Sequence, residues 1–90
     1  MNKITVTVRY LGTFSQLTGK REETLGLEEG ATVGELARLL GLKYGRELRR
    51  RLEDGESRPV LFIVDGSPAP SERRLGNGEL VLVTYPAGGG

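Results

Sequence analysis

The residues best suited to chemistry stand at the end of the chain. Pro86 and Ala87 lead into Gly88, Gly89 and Gly90, where the run closes on a carboxylate. Five residues beyond Tyr85 reach roughly 16–18 Å when extended. Glycine has no Cβ, so such an arm threads a slot too narrow for other residues. A carboxylate on a thin arm suits adenylation by an enzyme that encloses it. The acyl-adenylate is then open to sulfur or nitrogen nucleophiles. On this reading Gly90 bears the reactive carboxylate, and a partner recognises the tail through Gly88 and Gly89. Residues 87–90 form a flexible glycine-rich tail on a domain spanning 1–86. The competing reading is a frayed end, common at chain termini; the strand order ahead of the tail favours the reactive one.

Side chains offer little other chemistry. The 90 residues contain no Cys and no His. That excludes thiolate nucleophiles, disulfides, imidazole acid–base catalysis and zinc sites with nitrogen or sulfur ligands. No metal site and no bound cofactor are expected. Gly19-Lys20 lacks the spacing of a phosphate loop. Asp54, Asp65 and Glu79 sit at turn signals and read as turn formers or solvated charges. Lys20 reads as a loop cation. Arg46, Arg49, Arg50 and Arg51 read as a solvated helix face balanced by Glu47 and Glu53. The alternative is steering toward an acidic partner. Thirteen basic and twelve acidic residues leave a net charge of +1, which argues against nucleic acid. No apolar run approaches the roughly 18 residues of a membrane span. Met1-Asn2-Lys3-Ile4 has no apolar signal core, so a cytoplasmic location is expected. A self-sufficient enzyme is not expected; the chemistry needs a partner.

The elements that must position this tail are legible in the apolar pattern. Ile4, Val6, Val8 and Tyr10 alternate with polar residues, which predicts a half-buried strand. Gly12 to Lys20 reads as a turn or loop packed down by Phe14 and Leu17. Glu22 to Leu27 predicts a second strand, hairpin-paired to the first. Thr32-Val33-Gly34-Glu35 is a capping box, followed by a helical stripe of Val33, Leu36, Ala37 and Leu40. Gly41 is the expected stop. Tyr44, Leu48 and Leu52 predict a second short helix or bent continuation ending near Asp54-Gly55. Val60 to Val64 predicts a central strand, begun by Pro59 and turned by Asp65-Gly66. Ser67 to Arg74 reads as a polar loop. Leu75 anchors a turn through Asn77-Gly78, and Leu80 to Tyr85 predicts the last strand. Two hairpin strands, a helix and two later strands give an α+β roll of the β-grasp kind, a mixed sheet of four to five strands with one main helix on one face.

A helix covers only one face of a small sheet, so the apolar strands leave a surplus. The opposite face carries either Leu61 and Ile63 or Val60, Phe62 and Val64. The last strand poses the same choice between Leu80, Leu82 and Val81, Val83. Loops could cover the surplus, or it could be a partner surface. The expected surface is drawn across Leu61, Phe62, Ile63, Val81 and Val83.

Several short motifs occur in a telling order. Leu17-Thr18-Gly19-Lys20 closes the first loop, and Glu29-Gly30-Ala31-Thr32-Val33 leads into the helix. Val64-Asp65-Gly66 follows the third strand, Leu75-Gly76-Asn77-Gly78-Glu79 precedes the last, and glycines end the chain. With these, residues 3–90 resemble the sulfur-carrier proteins of the ubiquitin-like β-grasp class, the MoaD/ThiS family, and most of all its molybdopterin synthase small subunits. Two departures stand out: Gly88 replaces a larger residue before the diglycine, and Thr84-Tyr85-Pro86 replaces more apolar residues. The resemblance implies a ubiquitin-activating-type adenylyltransferase that uses ATP and Mg to adenylate Gly90. A sulfur donor would then form a thiocarboxylate, and a sulfur-accepting synthase subunit would use it, for molybdopterin (the molybdenum or tungsten cofactor) or a related product. The alternative is a ubiquitin-like modifier joined to lysine by an isopeptide bond at Gly90. A third reading is an interaction module that never uses its terminus.

Overall fold

The computed structural model describes residues 2–53 and 60–86. Its elements run β1 (Lys3–Tyr10), α1 (Thr13–Thr18), β2 (Glu22–Glu28), α2 (Val33–Tyr44), α3 (Arg46–Glu53), β3 (Leu61–Val64), β4 (Ser67–Pro68) and β5 (Leu80–Thr84). They build one five-stranded mixed sheet in the order β2-β1-β5-β3-β4. This is the β-grasp roll.

The alternation in β1 buries Ile4, Val6, Val8 and Tyr10. β1 pairs antiparallel with β2, matching Val6 to Leu25, and parallel with β5, matching Val8 to Val81. β5 pairs antiparallel with β3, matching Phe62 to Val83. β5, the last strand in the chain, is therefore the middle of the sheet. Val33, Leu36 and Leu40 of α2, Leu48 of α3 and Phe14 of α1 close the core over Val6, Val8, Phe62, Val64, Val81 and Val83.

Both halves of the capping box form. The Glu35 amide donates to Thr32 Oγ1 at 3.1 Å, and the Thr32 amide donates to Glu35 Oε1 at 2.9 Å. The helix does not stop at Gly41. It runs to Tyr44, and Gly45, at φ 93°, ends it. The reason is tertiary. Gly41 is buried where α3 crosses, and a Cβ there would meet the Arg49 stem at 3.2 Å. The missing side chain serves close helix packing, not termination.

Two further expectations change. The segment between Gly12 and Lys20 holds the short helix α1, which seats Phe14 fully in the core. Asp65 and Gly66 both adopt positive φ, the geometry of a tight two-residue hairpin. That turn pairs Val64 with Ser67 and Ile63 with Pro68, so β4 is a short strand where a loop was expected. Pro59, Asp54 and Gly55 lie outside the described residues.

Candidate functional site

The site to be built is the root of the tail and the face beside it. Gly88, Gly89 and Gly90 lie outside the described residues; the chain is described to Pro86. What precedes them is tightly held. The Leu11 amide donates to the Val83 carbonyl at 3.0 Å, so the end of β5 is tied to the end of β1. The Tyr85 ring lies against Phe14, centroids 4.9 Å apart, and its hydroxyl accepts from Arg51 Nη1 at 3.2 Å. Arg51 also donates through Nε to Glu47 at 3.1 Å. Tyr85, Phe14 and Arg51 thus fix the point where the tail departs. Spacing alone could not reveal this, because the three residues come from different elements.

The sheet face away from the helices carries the apolar surplus. Its residues are Leu61 and Ile63 of β3 with Leu80 and Leu82 of β5, half-buried or exposed. Ile63 faces Leu82 across the ladder, and Leu61 faces Thr84 at the tail root. A hollow of about 610 Å³ opens on this face, lined in part by Ile63, Leu80 and Leu82. Leu61 and Ile63 stand where a partner could touch them. Phe62, Val81 and Val83 do not: they are 9 %, 0 % and 1 % exposed and belong to the core. The pairing of Val8 with Val81 sets their phase, since β1's inward residues must line up with β5's. Leu80 and Leu82 take the outward places.

Three carboxylates are held by specific partners. Glu79 accepts both Arg73 Nη atoms at 3.0 Å and the Gly76 amide at 2.7 Å. Arg73, and then the Gly76 amide, lower its pKa. Together with Asn77 Oδ1, which accepts the Thr5 amide at 2.8 Å, this holds the turn before β5 against β1. Glu47 holds Arg51, as above.

The third, Glu23, is the most constrained group among the described residues. Its side chain is 8 % exposed. One carboxylate oxygen accepts the hydroxyls of Tyr10 (2.5 Å) and Tyr44; the other accepts Lys43 Nζ at 2.9 Å and Lys20 Nζ at 3.3 Å. Burial opposes ionisation, but these four donors outweigh it and hold the carboxyl at about 2. Burial, then the hydrogen bond to Glu23 and its charge, pushes Tyr44 up to about 12 and Tyr10 higher still, so both phenols stay protonated donors. The cluster is saturated and joins β1, β2 and the end of α2. Lys20 is one of its ligands, not a free loop cation. Among the described residues no cluster of three or more acidic, His or Cys side chains could hold a metal, and no helix is long and apolar enough to cross a membrane.

Comparison with known proteins places this arrangement. The chain is 28 % identical over 92 residues to small archaeal modifier protein 3 of Haloferax volcanii, covering 92 % of this chain and 96 % of that one. A Haloferax volcanii protein solved in solution superposes with a TM-score of 0.82 at 30 % identity, covering 98 % of this chain and 88 % of that one. A Pyrococcus furiosus structure named "Putative molybdopterin converting factor, subunit 1" superposes with a TM-score of 0.78 at 25 % identity, covering 93 % and 99 %. Residues 8–90 match the ThiS family. With that match, the β-grasp sheet and a glycine-rich tail rooted on its middle strand, this chain belongs to the ThiS family of small β-grasp sulfur carriers and modifiers.

Proposed function

We propose that this protein carries sulfur as a thiocarboxylate on Gly90 and delivers it, in the cytoplasm, to a synthase subunit that builds a molybdenum- or tungsten-binding pterin. ThiS family members are small non-catalytic proteins served by an activating enzyme. The observation that carries the reading is the tail root. The middle strand of the sheet ends at Thr84, and the next residue, Tyr85, is clamped by Phe14 and Arg51 beside the Leu61–Ile63–Leu82 face. A rigid root beside an apolar docking face lets a partner grip the domain and draw the tail into its own active site.

The chemistry then follows. The Gly90 carboxylate attacks the α-phosphorus of ATP, held with Mg by the activating enzyme, and pyrophosphate leaves. A sulfide-level donor attacks the acyl-adenylate carbonyl; the C–S bond forms, the bond to phosphate oxygen breaks, and AMP leaves. Glycines, lacking a Cβ, leave room for both steps. With no Cys anywhere in the sequence, the terminus is where this chain can hold sulfur.

The match to a small archaeal modifier favours a second reading, isopeptide bonding of Gly90 to lysines of other proteins. This chain's own three lysines are all ion-paired: Lys3 to Glu28, and Lys20 and Lys43 to buried Glu23. Lys20 and Lys43 are engaged in the Glu23 cluster, whereas Lys3, its side chain 71 % exposed, is held only by a surface pair. One incubation separates the readings. With ATP, Mg²⁺, an activating enzyme and a sulfur donor, intact mass spectrometry is expected to show one oxygen-for-sulfur exchange. Lysine-linked conjugates without that exchange would move the assignment to the modifier.

The docking face has its own test. Ile63→Asp or Leu82→Asp places a charge on the outward side of the sheet. Each is expected to weaken binding to the activating enzyme or synthase subunit by about tenfold or more, as for a central interface residue. The melting temperature should fall only modestly, because neither side chain is in the core. If every charged variant of this row fails to fold, the face is covered and the docking role is wrong.

A further inference from the structure

A second recess lies on the helical side, away from the sheet face just described. It is a groove of about 510 Å³ between α2 and α3. Ala37, Gly41, Leu42 and Leu52 supply its apolar lining, and Arg38 and Arg49 line it as well. Leu42 is 66 % exposed, a large apolar side chain left in water at the groove. The Arg49 stem lies against Gly41, so its charge is carried along the groove wall. Neither Arg38 nor Arg49 has a carboxylate partner among the described residues. Among the described acids nearby, Glu35 serves the capping box, Glu47 pairs with Arg51 and Glu72 accepts from the Ser71 hydroxyl. The protein is nearly neutral, yet among the described residues this groove is apolar at its centre and uncompensated positive at its sides.

We infer that the groove binds an acidic amphipathic segment of a partner protein, seating an apolar side chain on Ala37, Gly41 and Leu52 while flanking carboxylates meet Arg38 and Arg49. Charge complementarity selects this occupant. An apolar side chain alone would leave both guanidiniums unanswered, and a basic segment would be repelled. The groove is on the opposite side from the Ile63–Leu82 face, so the carrier could hold this segment while its tail is engaged. The inference does not depend on the tail chemistry.

The test titrates ¹⁵N-labelled protein with a short peptide carrying two leucines four positions apart between glutamates, and with a twin carrying lysine for each glutamate. The acidic peptide is expected to shift the amides of Ala37, Gly41, Arg49 and Leu52 and to bind more weakly as salt rises. Combining Arg38→Glu with Arg49→Glu is expected to weaken it about tenfold, with amide shifts elsewhere confirming the fold. Deleting Gly89 and Gly90 should leave peptide binding unchanged, which keeps this result separate from the carrier reading. Equal binding of the lysine twin, shifts confined to Ile63 and Leu82, or no shifts at millimolar peptide would overturn the proposal. So would shifts of the groove residues with protein concentration alone, which would assign the groove to a second copy.

Discussion

Removing Gly89 and Gly90 together is expected to abolish activation while leaving the melting temperature unchanged. The truncated carboxylate would sit two residues, about 7 Å, short of the nucleotide. A misplacement of even 1 Å at a reacting centre can cost about a hundredfold, so a 7 Å deficit leaves no measurable pyrophosphate exchange. Stability should hold, because β5 ends at Thr84 and Tyr85 is held by Phe14 and Arg51, both upstream of the cut. Deleting Gly90 alone leaves a diglycine end of reduced reach, and activity should fall without vanishing. Adding a bulky residue after Gly90 should block activation as fully as the double deletion, because the α-carboxylate then belongs to a residue whose side chain cannot enter a glycine-sized slot. Pyrophosphate exchange and a thermal melt on each variant check this. Full exchange by the doubly truncated chain would contradict it.

Glu23→Gln is expected to produce the largest loss of stability of any single polar change considered. The glutamine oxygen can still accept from Tyr10 and Tyr44, but its amide then faces Lys20 and Lys43, donor against donor. Losing the charge-assisted half of a nearly buried network costs about 2–3 kcal/mol. For a domain of this size that lowers the melting temperature by roughly 10–20 °C. The pH dependence carries a sharper signature. The folded carboxyl is held at about 2, below its ordinary 4.5. Its contribution is therefore complete above about pH 4.5 and is lost as pH falls through 2. Wild type should lose about 3 kcal/mol across that window from this group, and Glu23→Gln should lack that loss. Glu79, lowered by Arg73, leaves a smaller acid dependence in both. Melts followed by circular dichroism from neutral pH down to about 2 make the comparison. Parallel curves for the two proteins would show that Glu23 does not hold the fold as described.

The parts of this architecture legible in the sequence are those with a local cause. The alternation from Ile4 to Tyr10 has one reading, and β1 follows it. Thr32 and Glu35 announce the start of α2 because both halves of the box lie within four residues. The phase of β3 and β5 was not legible, because consecutive apolar residues such as Val60 to Val64 carry no period. Pairing decided it: Val81 stands opposite Val8, which sends Val83 and Phe62 inward. Gly41 matched a local stop signal, but the helix runs through it because its missing side chain serves packing against Arg49. The Glu23 cluster draws Tyr10, Lys20, Lys43 and Tyr44 from separate elements, so no short motif could reveal it. The tail reading rests on composition and position alone, and residues 87–90 lie outside the described residues. The root of the tail was not legible, because Tyr85 is held by Phe14 and Arg51 from far away in the chain.

The central claim is that sulfur rides on the Gly90 carboxylate, and locating the sulfur tests it most directly. The last arginine before the tail is Arg74, and no lysine follows it, so trypsin releases residues 75–90 as one peptide. After incubation with ATP, Mg²⁺, activating enzyme and sulfur donor, fragmentation of that peptide should place the whole oxygen-for-sulfur gain on its terminal glycine. The gain should be absent without ATP and absent from the chain lacking Gly89 and Gly90. Sulfur found on any other peptide, or a gain that persists in the doubly truncated chain, would contradict the account.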